Sequence, residues 1–516
     1  MIGRPIPRLE DDRLLTGKGR FTDDLRRERQ AWCAVVRSPH AHARIVSIDK
    51  SKAQCLAVLT GADYLADGLR PIDHSPNPVQ PFDIEKKAFA DAREAPQWPL
   101  AHEVARHVGE PVAAVIAESP QAARDAAESV DVHYEPLPLE ETLCVEASYG
   151  DAQAIGEAFS RAAAVARIEF CHQRVAASQI EPRSALGEYD ARSGRYTLTT
   201  GSQGVARLQH ALSDVLALSK DKIRVVTEDV GGAFGPRSYL YPENVLVLWA
   251  ARRVGRPVKW TSDRVEAFLS DFQGRDCQVN AALAVDGQGL ILGYQAAVRG
   301  DIGAHTVTFV PLANFRNIFT TVYHVPRVYL ELCGVKTNTV PTAPYRGAGR
   351  PEAHHALERL LDIAARKLSL DRAEIRRRNL VRKAQLPYRT PMGLTFDSGD
   401  FAGYTHSPLP TTRIFTAEKK RQKQSPACAA SASPTTSNLR WERRRSASSS
   451  QCREMGWKCL PGHSRPGRAT KRASRRRSPT SSALRPRRSA CELATPICSR
   501  AGVERIPTAR CGSPAR

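Results

Sequence analysis

Up to about residue 403, apolar positions alternate between a period of two and a period of 3.6, so short strands and amphipathic helices take turns along the chain. Strands are expected at 34–36, 44–46, 55–59 and 111–116. Ser119 then caps a helix with Pro120 in its first turn, running to about Glu128. A strand at 130–134 follows, closed by Pro136 and Pro138, and an alanine-rich helix over 151–166 opens on Asp151. The strand 196–200 ends at Gly201-Ser202-Gln203, and the helix after it places Val205, Leu208, Leu212, Val215 and Leu216 on one face.

The strand 223–226 breaks into the turn Gly231-Gly232-Ala233-Phe234-Gly235. The chain restarts as a helix at Pro242, where a missing N–H costs nothing. That helix is almost wholly apolar to Arg253 and should be buried on several sides; it stops at Gly255, with Pro257 beyond. A strand at 258–261, a hairpin over 281–298 turning at 286–289, and a helix over 351–367 complete the pattern. The last helix has a core stripe of Ala353, Ala356, Leu357, Leu360, Leu361 and Ala364, and Asp371 with Glu374 caps a short one after it. The fold class expected is a mixture of α+β and α/β.

Charge divides the chain. The formal net charge is +22, yet 25 Lys and Arg against five Asp and Glu fall within 411–516, leaving 51 against 49 for the first 410 residues. The body is therefore an ordinary near-neutral protein, which argues against nucleic acid as its partner. In 411–516 there is no Asp and no Tyr, half of the twelve cysteines occur, and Arg443-Arg444-Arg445 and Arg475-Arg476-Arg477 alternate with Ser, Ala and Pro. Such composition is what a GC-rich gene yields when read out of frame. A frameshift near 404–412 is expected, ahead of a functional basic arm that would bind nucleic acid.

The six body cysteines (Cys33, Cys55, Cys144, Cys171, Cys277, Cys333) form no C-x-x-C pair and no Cys/His cluster with zinc spacing. They read as buried thiols in a reducing compartment, and no metal-ligating set is expected. The opening residues lack an apolar signal core, and no run of eighteen apolar residues occurs, so a cytoplasmic protein with no membrane partner is expected.

Three loops hand a strand-like segment over to a helix: 201–203, 231–235 and 344–350. Each would point backbone donors the same way. Phe234 is unusual in a simple connector, because a large ring needs something to pack on; for a Gly-Gly pair alone, a tight loop without ligand is the simpler reading. The segment Pro344–Glu352 contains Gly-x-Gly but has Glu352 where the dinucleotide fingerprint needs glycine. Arg346 and Arg350 flanking Gly347-Ala348-Gly349 before a helix suit a polyanionic ligand, or are surface arginines on a glycine turn. His40 and His42 read as surface or satisfied residues, His354 and His355 at most as neighbours of the arginine loop. No Ser/His/Asp or Cys/His arrangement stands out.

Taken in order, Arg8–Asp11, Leu15–Gly19, Arg37–Ala41, Val108–Val112, Gln173-Arg174, Ile180–Arg183, Gln203, Gly231–Gly235, Arg256–Lys259, Gly274–Asp276, Tyr345–Glu352 and Arg377–Asn379 resemble large subunits of the xanthine dehydrogenase/aldehyde oxidase family. The likeness is greatest to the branch named for the aerobic carbon monoxide dehydrogenase large subunit, and runs from about residue 4 to 403. No single motif is decisive; the ordered set is specific.

The resemblance implies an N-terminal α/β hammerhead-like domain over 1–150, a first molybdopterin cofactor-binding domain over 151–403, and a basic, out-of-frame tail of low order over 404–516. It implies the large, molybdenum-bearing subunit of a hydroxylase that oxidises aldehydes or N-heterocycles with water as oxygen source. The metal would be held by the dithiolene of a pyranopterin, as the cytosine dinucleotide, with 2Fe–2S clusters and FAD on a small iron–sulfur and a medium flavin partner subunit. Gln203, Gly232, Ala233, Phe234 and Gly235 would approach the metal's ligands, and Arg346, Gly347, Ala348 and Gly349 would line the cofactor and substrate side. Three departures narrow this. Gly347 stands where the carbon monoxide enzymes carry a copper-binding cysteine, Arg237-Ser238 stands where purine-oxidising members have a glutamate, and Ala348 replaces a stacking phenylalanine. The family's catalytic glutamate belongs to a second cofactor-binding domain whose pattern does not appear before the basic tail, so no catalytic residue is assigned and a truncated chain, inactive alone, is expected.

Overall fold

A computed structural model describes residues 3–406 apart from Phe82. The tail of low order expected from 404 does not start there, because Phe401–His406 is a helix; the rest of the tail and of the expected frameshift window, from 407 onward, lies outside the described residues.

Two sheets carry the architecture. The first has seven strands in the order Ile223–Val226, Arg195–Thr200, Ser184–Asp190, Val258–Thr261, Ala31–Arg37, Pro111–Ala117, Ala57–Thr60. The second has five: Ala164–His172, Cys277–Val285, Ile291–Gly303, Val328–Lys336, Thr142–Gly150. A three-stranded sheet of Val104–Ala105, Ala43–Asp49 and Asp131–Pro136 stands beside them in the chain's first part. Both large sheets take strands from either side of residue 150. Ala31–Arg37 runs parallel to Val258–Thr261 with Ala31 opposite Val258, and Thr142–Gly150 is antiparallel to Val328–Lys336.

Each sheet is closed by one helix whose sequence pattern foretold its burial. Pro242–Val254 buries its first ten residues and packs on Ser184–Asp190. The approach is close: a Cβ at Gly187 would lie 2.4 Å from the Val247 carbonyl oxygen, so only glycine lets backbone meet backbone there. Its C-terminus is Gly255 at φ 66°, as the Gly-x-Pro signal predicts. Arg350–Lys367 lies on Ala164–His172 and Cys277–Val285, and all six residues of its expected stripe are fully buried. At roughly 1.5–3 kcal/mol for each large apolar side chain removed from water, these two seams hold the sheets to their helices.

Local differences from expectation have tertiary causes. The alanine-rich helix expected over 151–166 ends at Ser160, because Ala164–His172 pairs along its whole length with Cys277–Val285 and sheet hydrogen bonding overrides alanine's helix preference. Val205 is 37% exposed rather than part of the helix's buried face, since it sits at the first turn beyond the reach of the sheet. Cys171 is exposed on an edge strand, while Cys33, Cys144 and Cys277 are buried; all six are free thiols. No described helix is long and apolar enough to cross a membrane.

Candidate functional site

Arg195–Thr200 and Ile223–Val226 are parallel neighbours with Thr199 opposite Val226, so both strands finish at the same edge of the sheet. The loops that leave them, 201–203 and 227–235, are therefore side by side. Thr227 stitches them: its hydroxyl donates to the Thr200 carbonyl (2.7 Å) and accepts from the Ser202 N–H (3.0 Å). Gln203 reaches across, its Oε1 accepting from the Gly235 N–H at 2.8 Å.

The third loop joins on the other side. The Arg346 N–H donates to the Phe234 carbonyl at 2.9 Å, and a Cβ on Gly235 (φ 117°) would fall 2.1 Å from the Pro344 carbonyl oxygen. The guanidinium of Arg346 lies 5.0 Å from the Phe234 ring centroid, which gives the exposed ring its packing partner. Phe234 and Ala348 both hold positive φ (56° and 47°), a conformation that side chains adopt at a cost and that needs surrounding structure to maintain it. The nine residues singled out in the sequence thus fall in one cluster. Gln203, Phe234, Arg346 and Gly347 form its exposed face; Gly232, Ala233 and Gly235 are half-buried; Ala348 and Gly349 turn inward.

Several residues that support this cluster were not singled out individually. The Glu181 carboxylate accepts from the Gly231 N–H (2.7 Å) and from Arg237 Nη1 (2.6 Å), and Arg237 also donates to the Glu181 carbonyl. Gln179 donates to the Ala233 carbonyl at 3.2 Å. Arg275 anchors the third loop by donating to the Tyr345 and Arg346 carbonyls, each at 2.9 Å, and to Glu352 at 3.1 Å. Arg237 stands two residues past the turn and Arg275 lies within a quoted motif, but nothing in sequence spacing pairs Arg237 with Glu181 or brings Arg275 to the third loop. His354 and His355 do not join the cluster. His355 packs its ring against Phe170 and His172, and His40 lies against Tyr134.

Beneath the loops lies a buried charge network. Arg183 donates through Nε to Asp271 (2.6 Å) and through Nη1 to Glu243 (2.5 Å), and its guanidinium sits 3.8 Å from the Tyr241 ring centroid. Arg37 donates to the same Glu243 (2.7 Å) and to Glu266 (2.8 Å). Burial works to raise the Glu243 pKa, but the two guanidiniums outweigh it and hold the carboxyl at about 2. For Glu266 burial prevails and the pKa goes up.

Comparison with known proteins gives this architecture its class. The aldehyde oxidase and xanthine dehydrogenase a/b hammerhead domain matches residues 16–138, and the molybdopterin cofactor-binding domain matches 137–380. The chain belongs to the xanthine dehydrogenase/aldehyde oxidase family of molybdopterin-dependent oxidoreductases, with the order of domains its sequence resemblance implied. It is 33% identical to the nicotine 6-hydroxylase large subunit of Paenarthrobacter nicotinovorans, over 78% of this chain and 51% of that one. It is 32% identical to the carbon monoxide dehydrogenase large chain of Afipia carboxidovorans, covering 78% and 52%. Among solved structures it is similar to quinoline 2-oxidoreductase from Pseudomonas putida 86, with a TM-score of 0.75, 33% identity, and coverage of 83% and 56%. The chain spans about half the length of the relatives it matches.

Proposed function

We propose that the loop cluster of Gln203, 231–235 and 346–349 binds a molybdopterin cofactor, as the cytosine dinucleotide, within the large subunit of a molybdenum hydroxylase. The observation that carries this reading is the chemistry of the donor set. The nine residues include no cysteine, histidine or carboxylate, so they suit a metal already held by its own organic ligand. Among the described residues, none accepts a hydrogen bond from the N–H groups of Gly232, Ala233 or Phe234. Those donors, with Arg346, make a positively polarised rim suited to a polyanion.

When bound, such a cofactor supplies two-electron oxidation of a C–H carbon, with water as the oxygen source. The chain's own part is positioning. Gln203 spends its Oε1 on Gly235, which leaves its Nε2 as a donor on the other side. Glu181 fixes the root of the turn through Gly231 and Arg237, so the turn's free N–H groups are held in place before any ligand arrives. Phe234 offers an apolar ring beside them, 36% exposed and covered on one side by Arg346.

Aldehydes or N-heterocycles are the substrate class proposed, with electrons leaving through 2Fe–2S clusters and FAD on a small and a medium partner subunit. Gly347, in the place of a copper-binding cysteine, argues against carbon monoxide. The test is to produce the chain in a host that makes the cytosine dinucleotide cofactor and to measure molybdenum and acid-released CMP in the purified protein. Both should be present in equal amounts and fall in Arg346→Ala. Molybdenum and CMP that persist unchanged in that variant would overturn the assignment of the site.

A further inference from the structure

Far from the loop cluster in sequence, three side chains meet in the interior without a described role. His107 and Glu110 come from the turn that leads into Pro111–Ala117, and His305 from the bend that follows Ile291–Gly303. The turn is tight: the Glu110 N–H donates to the His107 carbonyl at 3.2 Å, and Gly109 between them has φ 91°. Each of the three offers one ligand atom, all within 4.8 Å of one another, and the residues are 3%, 1% and 2% exposed.

The hydrogen bonding of the two imidazoles sets their tautomers. His107 Nδ1 faces the Val108 carbonyl at 2.9 Å and His305 Nδ1 faces the Pro96 carbonyl at 3.2 Å, so in each ring Nδ1 must carry the proton and donate it. His107 Nε2 then presents a bare lone pair to the centre. His305 Nε2 lies 2.8 Å from Glu110 Oε1, while His107 Nε2 is buried with no hydrogen-bond partner. Two histidines that donate Nδ1–H to backbone carbonyls, with a carboxylate held from behind by the Arg106 N–H, match the outer-shell pattern of metal-ligating residues. An orphaned, buried imidazole nitrogen costs free energy unless something occupies the space in front of it.

We propose that His107, Glu110 and His305 bind one divalent transition-metal ion of the zinc type, tying the lead-in of the seven-stranded sheet to the exit of the five-stranded sheet. A tetrahedral ion with ligands at about 2.0–2.1 Å needs its donors roughly 3.4 Å apart. The 2.8 Å pair must open by about 0.6 Å and the widest separation, at most 4.8 Å, must close by up to about 1.4 Å, both by side-chain rotation. At 2.8 Å, His305 Nε2 and Glu110 Oε1 share one proton. The ion takes that proton's place, so binding releases it. The fourth position is left to water.

The test uses the full chain, with its thiols alkylated so that cysteines cannot hold the ion. The purified protein is dialysed against chelator and its zinc content measured. About one equivalent should remain, and His107→Ala and His305→Phe should each lose it or bind at least about tenfold more weakly, with cooperative melting retained. Co2+ loaded into the wild-type chain should give visible d–d bands without a thiolate charge-transfer band. That spectrum decides the matter even if both variants fail to fold. Less than a tenth of an equivalent of zinc in the wild type, zinc retained in both folded variants, or a colourless Co2+ form would each overturn the proposal.

Discussion

The loop cluster and the charge network beneath it both contain arginine and put it to opposite ends. In the network, Arg183, Glu243 and Asp271 are buried, the Arg37 side chain is 9% exposed, and all four spend their charges on one another. In the loops, Arg346 is exposed, carries no salt bridge among the described residues, and lies over an aromatic face. A buried guanidinium without a carboxylate would cost several kcal/mol, whereas an exposed one costs little and stays available. The difference separates residues that hold the fold from residues free to meet a ligand, and it can be broken at either side.

The largest effect is expected at Glu243, which Arg183 and Arg37 share. Glu243→Ala leaves both without their common partner and should lower unfolding free energy by about 3–5 kcal/mol, read by denaturant titration. The same carboxylate sets a pH window. Its folded pKa of about 2 lies below its ordinary value of 4.5, so its contribution is fully present above about pH 4.5 and is lost as pH falls toward 2. Between about pH 4.5 and about pH 3 the wild type should lose stability more steeply than Glu243→Gln, by up to about 1.4 kcal/mol per pH unit. Parallel slopes would show that Glu243 does not hold the charge its neighbours imply.

Gly235→Ala comes next. A methyl group there meets the Pro344 carbonyl oxygen and must adopt φ 117°, so the turn and the arginine loop have to separate. A loss of about 1–3 kcal/mol is expected, with faster amide exchange confined to 231–235 and 344–350. Unchanged exchange in the second segment would mean that the two loops are not coupled.

How much of this could be seen in the sequence depends on how far apart the partners lie. Pro242–Val254 was legible because its stop signal and apolar content are local, and so was the stripe from Ala353 to Ala364. The loops 201–203 and 231–235 were legible because each follows a strand-like run and carries glycine; 344–350 was legible only from its arginines and glycines, since the strand before it ends at Lys336. Strands such as Thr142–Gly150 and Val328–Lys336 were not, since their identity comes from pairing with one another across nearly two hundred residues. The early end of the helix at Ser160 has the same origin. The partners of Glu181 and Arg237, and the meeting of His107, Glu110 and His305, were invisible for a related reason. An arginine or histidine looks alike in any surface loop, and only the fold brings its partner to it.

The smallest effect on stability separates fold from binding most cleanly, at Gln203. This side chain is exposed, and its one described side-chain hydrogen bond, through Oε1, is worth about 0.5–1.5 kcal/mol at most. Gln203→Ala should therefore change unfolding free energy by no more than about 1.5 kcal/mol. Gln203→Glu keeps an acceptor for the Gly235 N–H and so should be still closer to wild type in stability. It replaces the outward-facing Nε2 donor with a negative charge, which repels a polyanion. If the loops hold a cofactor, molybdenum and CMP content should drop in Gln203→Glu more than in Gln203→Ala, the reverse of the order for stability. If content instead follows stability, Gln203 serves only to tether the glycine turn, and the exposed face of the cluster would have to bind through its backbone and Arg346 alone.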